Sequence, residues 1–209
     1  MKISILGAGR MGGNLAKAWF RSGHQIYLGV RNLDSSRVVS LQRDLPPAVR
    51  FGSLAEAVNT GEVIVVALPF QAVNALLTEL PDPGRKIIID CTNPVVWQGG
   101  PVVAPGINVA ARLQQQWLDA LVVKAFNTIG AAHILSPIVA GEPADMYYCS
   151  DDAEAGETVS RLARDVGLNP VDAGALNNAP LIENVSLLLM TLSATRLTGH
   201  SLTMKLRYD

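Results

Sequence analysis

Two cysteines, three histidines, 5% aromatic residues and a net charge of −1 are all that 209 residues contain of these features. Each scarcity closes a class of function. Cys91 and Cys149 are too few and too far apart for a disulfide framework or a metal cluster. Both are expected to sit reduced beside strands in a cytoplasmic protein, with a disulfide between them as the minor alternative. His24, His133 and His200 belong to no His-x-x-x-His pattern, and no Gly-x-Ser-x-Gly elbow is present. The chain therefore lacks the signatures of zinc or serine hydrolysis, and the histidines are read as surface or packing residues. A charge balance so close to zero offers no field for nucleic acid or an anionic membrane. Long apolar runs are missing as well. Leu181–Leu197 is interrupted by Asn184, Ser186, Thr191, Ser193, Thr195 and Arg196, short of the roughly 18 apolar residues of a membrane span. It reads as a helix buried in protein. The first apolar run, Ile3-Ser4-Ile5-Leu6, falls short of the roughly 7–15 residues of a leader core, so no secretory leader is expected.

What remains is rich in core-forming residues. Hydrophobic residues make up 49% and charged ones 17%, the balance of a well-buried globular chain. The length suits one α/β domain over residues 1–209. Strand patterns occur at Lys2–Leu6, Gln25–Val30, Val49–Phe51, Val63–Ala67, Lys86–Asp90, Leu121–Ala125, Asp145–Cys149 and Pro170–Asp172. Helical patterns lie between them: Met11–Ser22, Ser36–Leu45, a segment from Ser53 with Glu56 completing a capping box, Gln71–Leu80, about Asn108–Trp117, Ala153–Val166 and about Ala179–Leu197. Ala131–Leu135 reads as a short helical turn and the Gly/Pro-rich Pro94–Pro105 as a loop. The alternation predicts a doubly wound, mostly parallel α/β sheet with extra C-terminal strands and a C-terminal helix, its chemistry at the carboxyl ends of the strands.

Each of those ends carries a distinct pattern. After the first strand, Gly7-Ala8-Gly9-Arg10-Met11-Gly12 has the Gly-x-Gly-x-x-Gly spacing that lets a backbone turn tightly and approach a pyrophosphate, with a helix amino terminus aimed at the anion. The second strand ends in Gly29-Val30-Arg31-Asn32, followed by Ser35, Ser36 and Arg37. No carboxylate stands at the strand end to receive a ribose 2′-hydroxyl or repel a 2′-phosphate, and Arg31 offers a fork of donors to bind one. NADP(H) is the expected cofactor. Ala67-Leu68-Pro69 sets small and apolar residues against its ribose, and Asp90-Cys91-Thr92-Asn93-Pro94 offers a polar turn to the nicotinamide side. Lys124-Ala125-Phe126-Asn127-Thr128 places a lysine on a strand, which is costly unless its amine finds water or a partner. Asp172 and Glu183 could form an acid pair, with helix capping and solvation the expected role of both.

Taken together, the glycine start, Asn93-Pro94, Lys124-Ala125-Phe126-Asn127-Thr128-Ile129-Gly130, Tyr147-Tyr148-Cys149-Ser150-Asp151-Asp152 and Val171-Asp172-Ala173-Gly174 resemble the NADP oxidoreductases dependent on the deazaflavin coenzyme F-420. The cytosolic domains of membrane ferric reductases share much of the pattern. The resemblance runs through Leu197 and leaves the tail, Thr198–Asp209, uncovered. It implies a Rossmann-type domain that binds NADPH and exchanges hydride with a deazaflavin or flavin-like acceptor. It also implies Gly9–Gly12 at the pyrophosphate, Val30 and Arg31 at the 2′-phosphate, and Leu68, Pro69, Asn93, Ala125 and Asn127 along the nicotinamide half. Val30 stands where the family usually has serine, and Ala175 where a proline commonly follows the Asp-Ala-Gly turn. Hydride transfer between stacked rings needs close approach and excluded water rather than a protein acid, so no catalytic side chain is expected. A non-catalytic NADP(H) sensor and a reductase of a small imine or ketone are the alternatives. Finally, Leu181, Ile182, Val185, Leu188, Leu189, Leu192 and Leu197 cover a wide arc of the last helix, which predicts burial on two sides and a homodimer.

Overall fold

The computed structural model describes residues 1–196 and 202–207; Leu197 and His200, both singled out above, lie outside the described residues. Eight strands form one sheet: β1 (Lys2–Leu6), β2 (Gln25–Gly29), β3 (Arg50–Gly52), β4 (Val63–Val66), β5 (Ile87–Asp90), β8 (Leu121–Lys124), β11 (Asp145–Ser150) and β12 (Asn169–Asp172). Their spatial order is β12-β11-β8-β5-β4-β1-β2-β3. β1 pairs in parallel with β2 on one side and β4 on the other. The chain thus reverses its direction of winding at β1, the crevice where doubly wound sheets bind ligands. β4 reads Val-Ile-Val-Val and is buried throughout, as expected of a strand covered on both faces.

Helices α1 (Arg10–Arg21), α2 (Ser36–Asp44), α3 (Leu54–Thr60), α4 (Phe70–Leu77), α5 (Val109–Gln116), α6 (Ala153–Asp165) and α7 (Ala179–Thr195) connect or cover the strands. Their starts follow local chemistry. The side chains of Ser35, Ser53, Asn108 and Asp152 each accept an amide of the first turn, and Glu56 returns the bond to Ser53, closing the capping box read from the sequence.

The structure departs from the sequence reading in three places. Pro94–Pro105, read as a loop, holds a hairpin of β6 (Val95–Trp97) and β7 (Pro101–Val103); Gly99, at φ 70°, makes its tight reversal, which is where glycine is favoured. A second small hairpin pairs β9 (Ile138–Val139) with β10 (Glu142–Pro143), where the sequence pattern predicts no strand. And β11 runs antiparallel to β8, so its first residue, Asp145, falls on the same edge of the sheet as the carboxyl end of β8. Cys91 and Cys149 are both free and buried. No helix among the described residues is long and apolar enough to cross a membrane.

Candidate functional site

Two cavities open on the carboxyl edge of the sheet. The first, about 500 Å³, lies at the ends of β1, β2 and β4, and collects Gly7, Ala8, Gly9, Arg10, Met11, Val30, Arg31, Asn32, Ser35, Ala67, Leu68 and Pro69 with Arg37 and Leu54. The three glycines of the Gly7–Gly12 turn stand in different surroundings. Gly7 turns at φ 112°, and a Cβ there would come within 2.6 Å of the Ala67 carbonyl oxygen. A Cβ on Gly12, which is buried and outside the cleft lining, would overlap the Gly7 carbonyl oxygen. Gly9 is the exception: its backbone is ordinary extended chain, and an added Cβ would meet nothing within 4 Å. It faces open space.

The electrostatics of this cleft favour an anion. α1 begins at Gly9 with no capping side chain and no acidic residue in its first turn, leaving amide donors and the positive end of the helix dipole unmatched. Arg31 and Arg37 line the same cleft, and neither has an ion-pair partner among the described residues. A group carrying phosphates fits this cradle. Val30 is buried with an apolar side chain, its amide being spent on the Gly52 carbonyl.

The second cavity, about 480 Å³, lies beyond β5 and β8 and is lined by Asn93, Trp97, Asn127, Thr128, Ile129, Gly130 and one face of α7 from Ser186 to Ala194, with Leu202. Its floor is built by the Lys124–Thr128 stretch. Phe126 takes φ 62°, a conformation that costs a bulky residue on the order of 1–3 kcal/mol. Burial of its ring edge-on against Trp19, 5.5 Å between centroids, offsets that strain. The kink delivers Asn127 to the groove. There Asn93 Nδ2 donates to the Asn127 carbonyl at 2.8 Å, Asn127 Nδ2 donates to Asn93 Oδ1 and to the Ile182 carbonyl, and Ser186 Oγ donates to the Asn127 carbonyl at 2.9 Å. Among the described residues Asn127 Oδ1 and Thr128 Oγ1 are buried without a partner, the kind of unpaired polar atom that a bound ligand can satisfy. Trp97, at 68% exposure, stands at the rim.

Of the remaining sequence candidates, Pro94 and Ala125 line neither cavity. Ala125 is fully buried, its amide bound to the Asp90 carbonyl, and the Pro94 carbonyl accepts from Ala104. Asp172 is exposed, as expected, but accepts from the Gly174 amide in a turn and caps no helix. Glu183 does not behave as expected. It is buried, and its Oε1 lies 2.6 Å from Lys124 Nζ. Lys124 in turn reaches Asp90 Oδ2 at 2.9 Å and the Thr92 carbonyl at 2.6 Å. Burial pushes the Glu183 carboxyl above its usual range despite the ammonium beside it. Burial alone would lower Lys124, but Asp90 and Glu183 together hold it above its usual range. The strand lysine thus found partners, one of them missed because nothing local in the sequence joins positions 124 and 183. Sequence reasoning also missed the contributions of Trp97, Leu189, Met190 and Leu202 to the groove.

On α7 the chain itself covers one face. Its buried face is Ala179, Ile182, Glu183 and Ser186, whereas Leu181, Leu188 and Leu192 are exposed at 62%, 48% and 36%. The helix turns its more polar face inward, because that face must meet Lys124 and the Asn127 carbonyl.

Residues 2–94 match the family described as NADP oxidoreductase, coenzyme F420-dependent. An F420-dependent NADP reductase from Methanothermobacter marburgensis is 30% identical over 215 residues, covering 92% of each chain. The rat metalloreductase STEAP3 is 31% identical over 189 residues, which take in 90% of this chain; the match spans only 37% of the rat protein's length. Among solved structures, a proposed F420-dependent NADP reductase from Arthrobacter sp. FB24 superposes with a TM-score of 0.90 at 24% identity, over the full length of both chains.

Proposed function

The chain belongs to the coenzyme F420-dependent NADP oxidoreductases, and from that membership we propose that it exchanges hydride between NADPH and a flat acceptor of deazaflavin or flavin type. One observation carries the reading: an anion-seeking cleft and a partly apolar groove share the carboxyl edge of one sheet, separated only by the step from β4 to β5. NADPH supplies the hydride from its nicotinamide ring. In this reading Gly9, Arg10 and Met11 receive the pyrophosphate, and Arg31 with Asn32 and Ser35 receives the 2′-phosphate. Leu68 and Pro69 cover the ribose, while Asn93 and Asn127 fix the nicotinamide end. Trp97, Leu189 and Met190 flank the acceptor ring and keep water from it. Residues 1–209 act as a single domain in this scheme. Mixing the pure protein with NADPH and riboflavin or its 5-deaza analogue tests it. Loss of the near-ultraviolet NADPH absorbance is expected, and its persistence with both rings would overturn the acceptor assignment.

Cofactor choice rests on Arg31. Each charge-assisted hydrogen bond to a 2′-phosphate contributes about 1.5–3 kcal/mol, on the order of 10–100-fold in affinity. Arg31→Ala is expected to remove most of the preference for NADPH over NADH, and further loss of Arg37 to remove the remainder, with NADH binding nearly unchanged. Equal affinities for both cofactors in the unsubstituted protein would refute it.

The exposed stripe of Leu181, Leu188 and Leu192 is the surface on which we place a second copy of the chain, in a two-fold dimer. Leu188→Lys with Leu192→Lys should give a monomer by light scattering that still binds NADPH but transfers hydride poorly. A native protein already monomeric at micromolar concentration would exclude the dimer.

A further inference from the structure

The segment 202–207, beyond α7, is tied to the sheet by a buried carboxylate. Asp145, 2% exposed at the start of β11, accepts from Lys205 Nζ at 2.7 Å and Asn169 Nδ2 at 2.7 Å on Oδ1, and from the Leu206 amide at 2.6 Å on Oδ2. Lys205 also donates to the Pro143 carbonyl at 3.0 Å, and Arg207 pairs with Glu142 at 2.8 Å. Burial alone would raise the Asp145 carboxyl, but the Lys205 ammonium, the Leu206 amide and Asn169 hold it below its usual range. A charge taken out of water and given both an ammonium and a main-chain amide by one segment fixes that segment at two successive residues. Three residues before this latch, Leu202 forms part of the groove wall with Trp97, Leu189 and Met190. Because β11 runs antiparallel to β8, the latch sits on the groove's own edge of the sheet.

We propose that Leu202 determines which planar acceptor the groove admits, and that the Asp145 latch is what holds it in the wall. The inference rests on the reading of this groove as the acceptor site. A tail that served only to tie down the chain end would affect stability but not the choice of acceptor.

The test uses the full chain loaded with NADP⁺, titrated calorimetrically with riboflavin, its 5-deaza analogue and the two-ring menadione; NADPH affinity is measured in parallel. Leu202→Ala should weaken all three about tenfold, the loss typical of a truncated apolar contact. Leu202→Trp should weaken the three-ring compounds selectively and spare menadione. Lys205→Met cuts the latch from its partly exposed side, keeping the buried carboxylate, and should reproduce the effect of Leu202→Ala. NADPH affinity should not move in any of them. Trp97→Ala separates the two levels of the inference. If it weakens ring binding while the Leu202 and Lys205 variants do not, the groove is the acceptor site and the strap has no part in it. If no ring binds the unsubstituted protein, or none of these variants changes ring binding, the acceptor assignment falls and the strap proposal with it.

Discussion

Gly9→Val is expected to abolish NADPH binding in a protein whose far-ultraviolet circular dichroism stays native. Both halves follow from the space around this residue. Its backbone lies in the extended region open to any amino acid, and an added Cβ meets no neighbour within 4 Å, so the fold has nothing to resist. The same empty space is where a pyrophosphate would approach the first amides of α1. A branched side chain would fill it. Losing two charge-assisted hydrogen bonds of about 1.5–3 kcal/mol each weakens binding by about 10²–10⁴-fold at 1.4 kcal/mol per tenfold. Gly12→Val supplies the contrast: its Cβ would overlap the Gly7 carbonyl, so that variant should lose the fold together with the cofactor. Unchanged NADPH affinity in Gly9→Val would mean that the phosphates lie elsewhere.

Features that a few neighbouring residues decide were legible in the sequence. The glycine turn, the Ser53–Glu56 capping box and the uniformly apolar β4 each follow from local spacing, and the structure has them within a residue or two of the expected bounds. What escaped was decided by residues far apart. The β6–β7 hairpin hides in a Gly/Pro-rich segment because its strands are short and its pairing, Val95 with Val103 and Trp97 with Pro101, has no periodic signature of its own. The direction of β11 depends on its neighbour rather than on Asp145–Ser150. Which face of α7 the chain itself covers was not legible for a related reason: that face was chosen by a lysine on β8, and two carboxylates 93 positions apart in the chain met that one ammonium.

Lys124→Met is expected to cost about 3–5 kcal/mol of folding stability, the penalty for removing one member of a buried ionic cluster. The ammonium is fully buried and stands between Asp90 and Glu183, at 2.9 and 2.6 Å. Without it two carboxylates face each other out of water, and at least one must take up a proton for the chain to fold. Because Asp90 ends β5, Lys124 ends β8 and Glu183 lies on α7, the loss also frees the helix that walls the groove. The cluster carries one negative charge too many, and this sets the pH dependence. The Glu183 carboxyl is raised on folding, so its contribution is fully present below the unfolded pKa of a glutamate and is lost as pH rises through the folded value. Glu183→Gln removes the excess charge while its amide oxygen can still accept from Lys124, so it should flatten that decline at little cost in stability. Combining Lys124→Met with Asp90→Asn and Glu183→Gln leaves no charge in this cluster and should recover much of the loss. Urea melts from mild acid to neutral pH give all of these values. A Lys124→Met midpoint equal to that of the parent would show that the cluster does not hold α7 to the sheet.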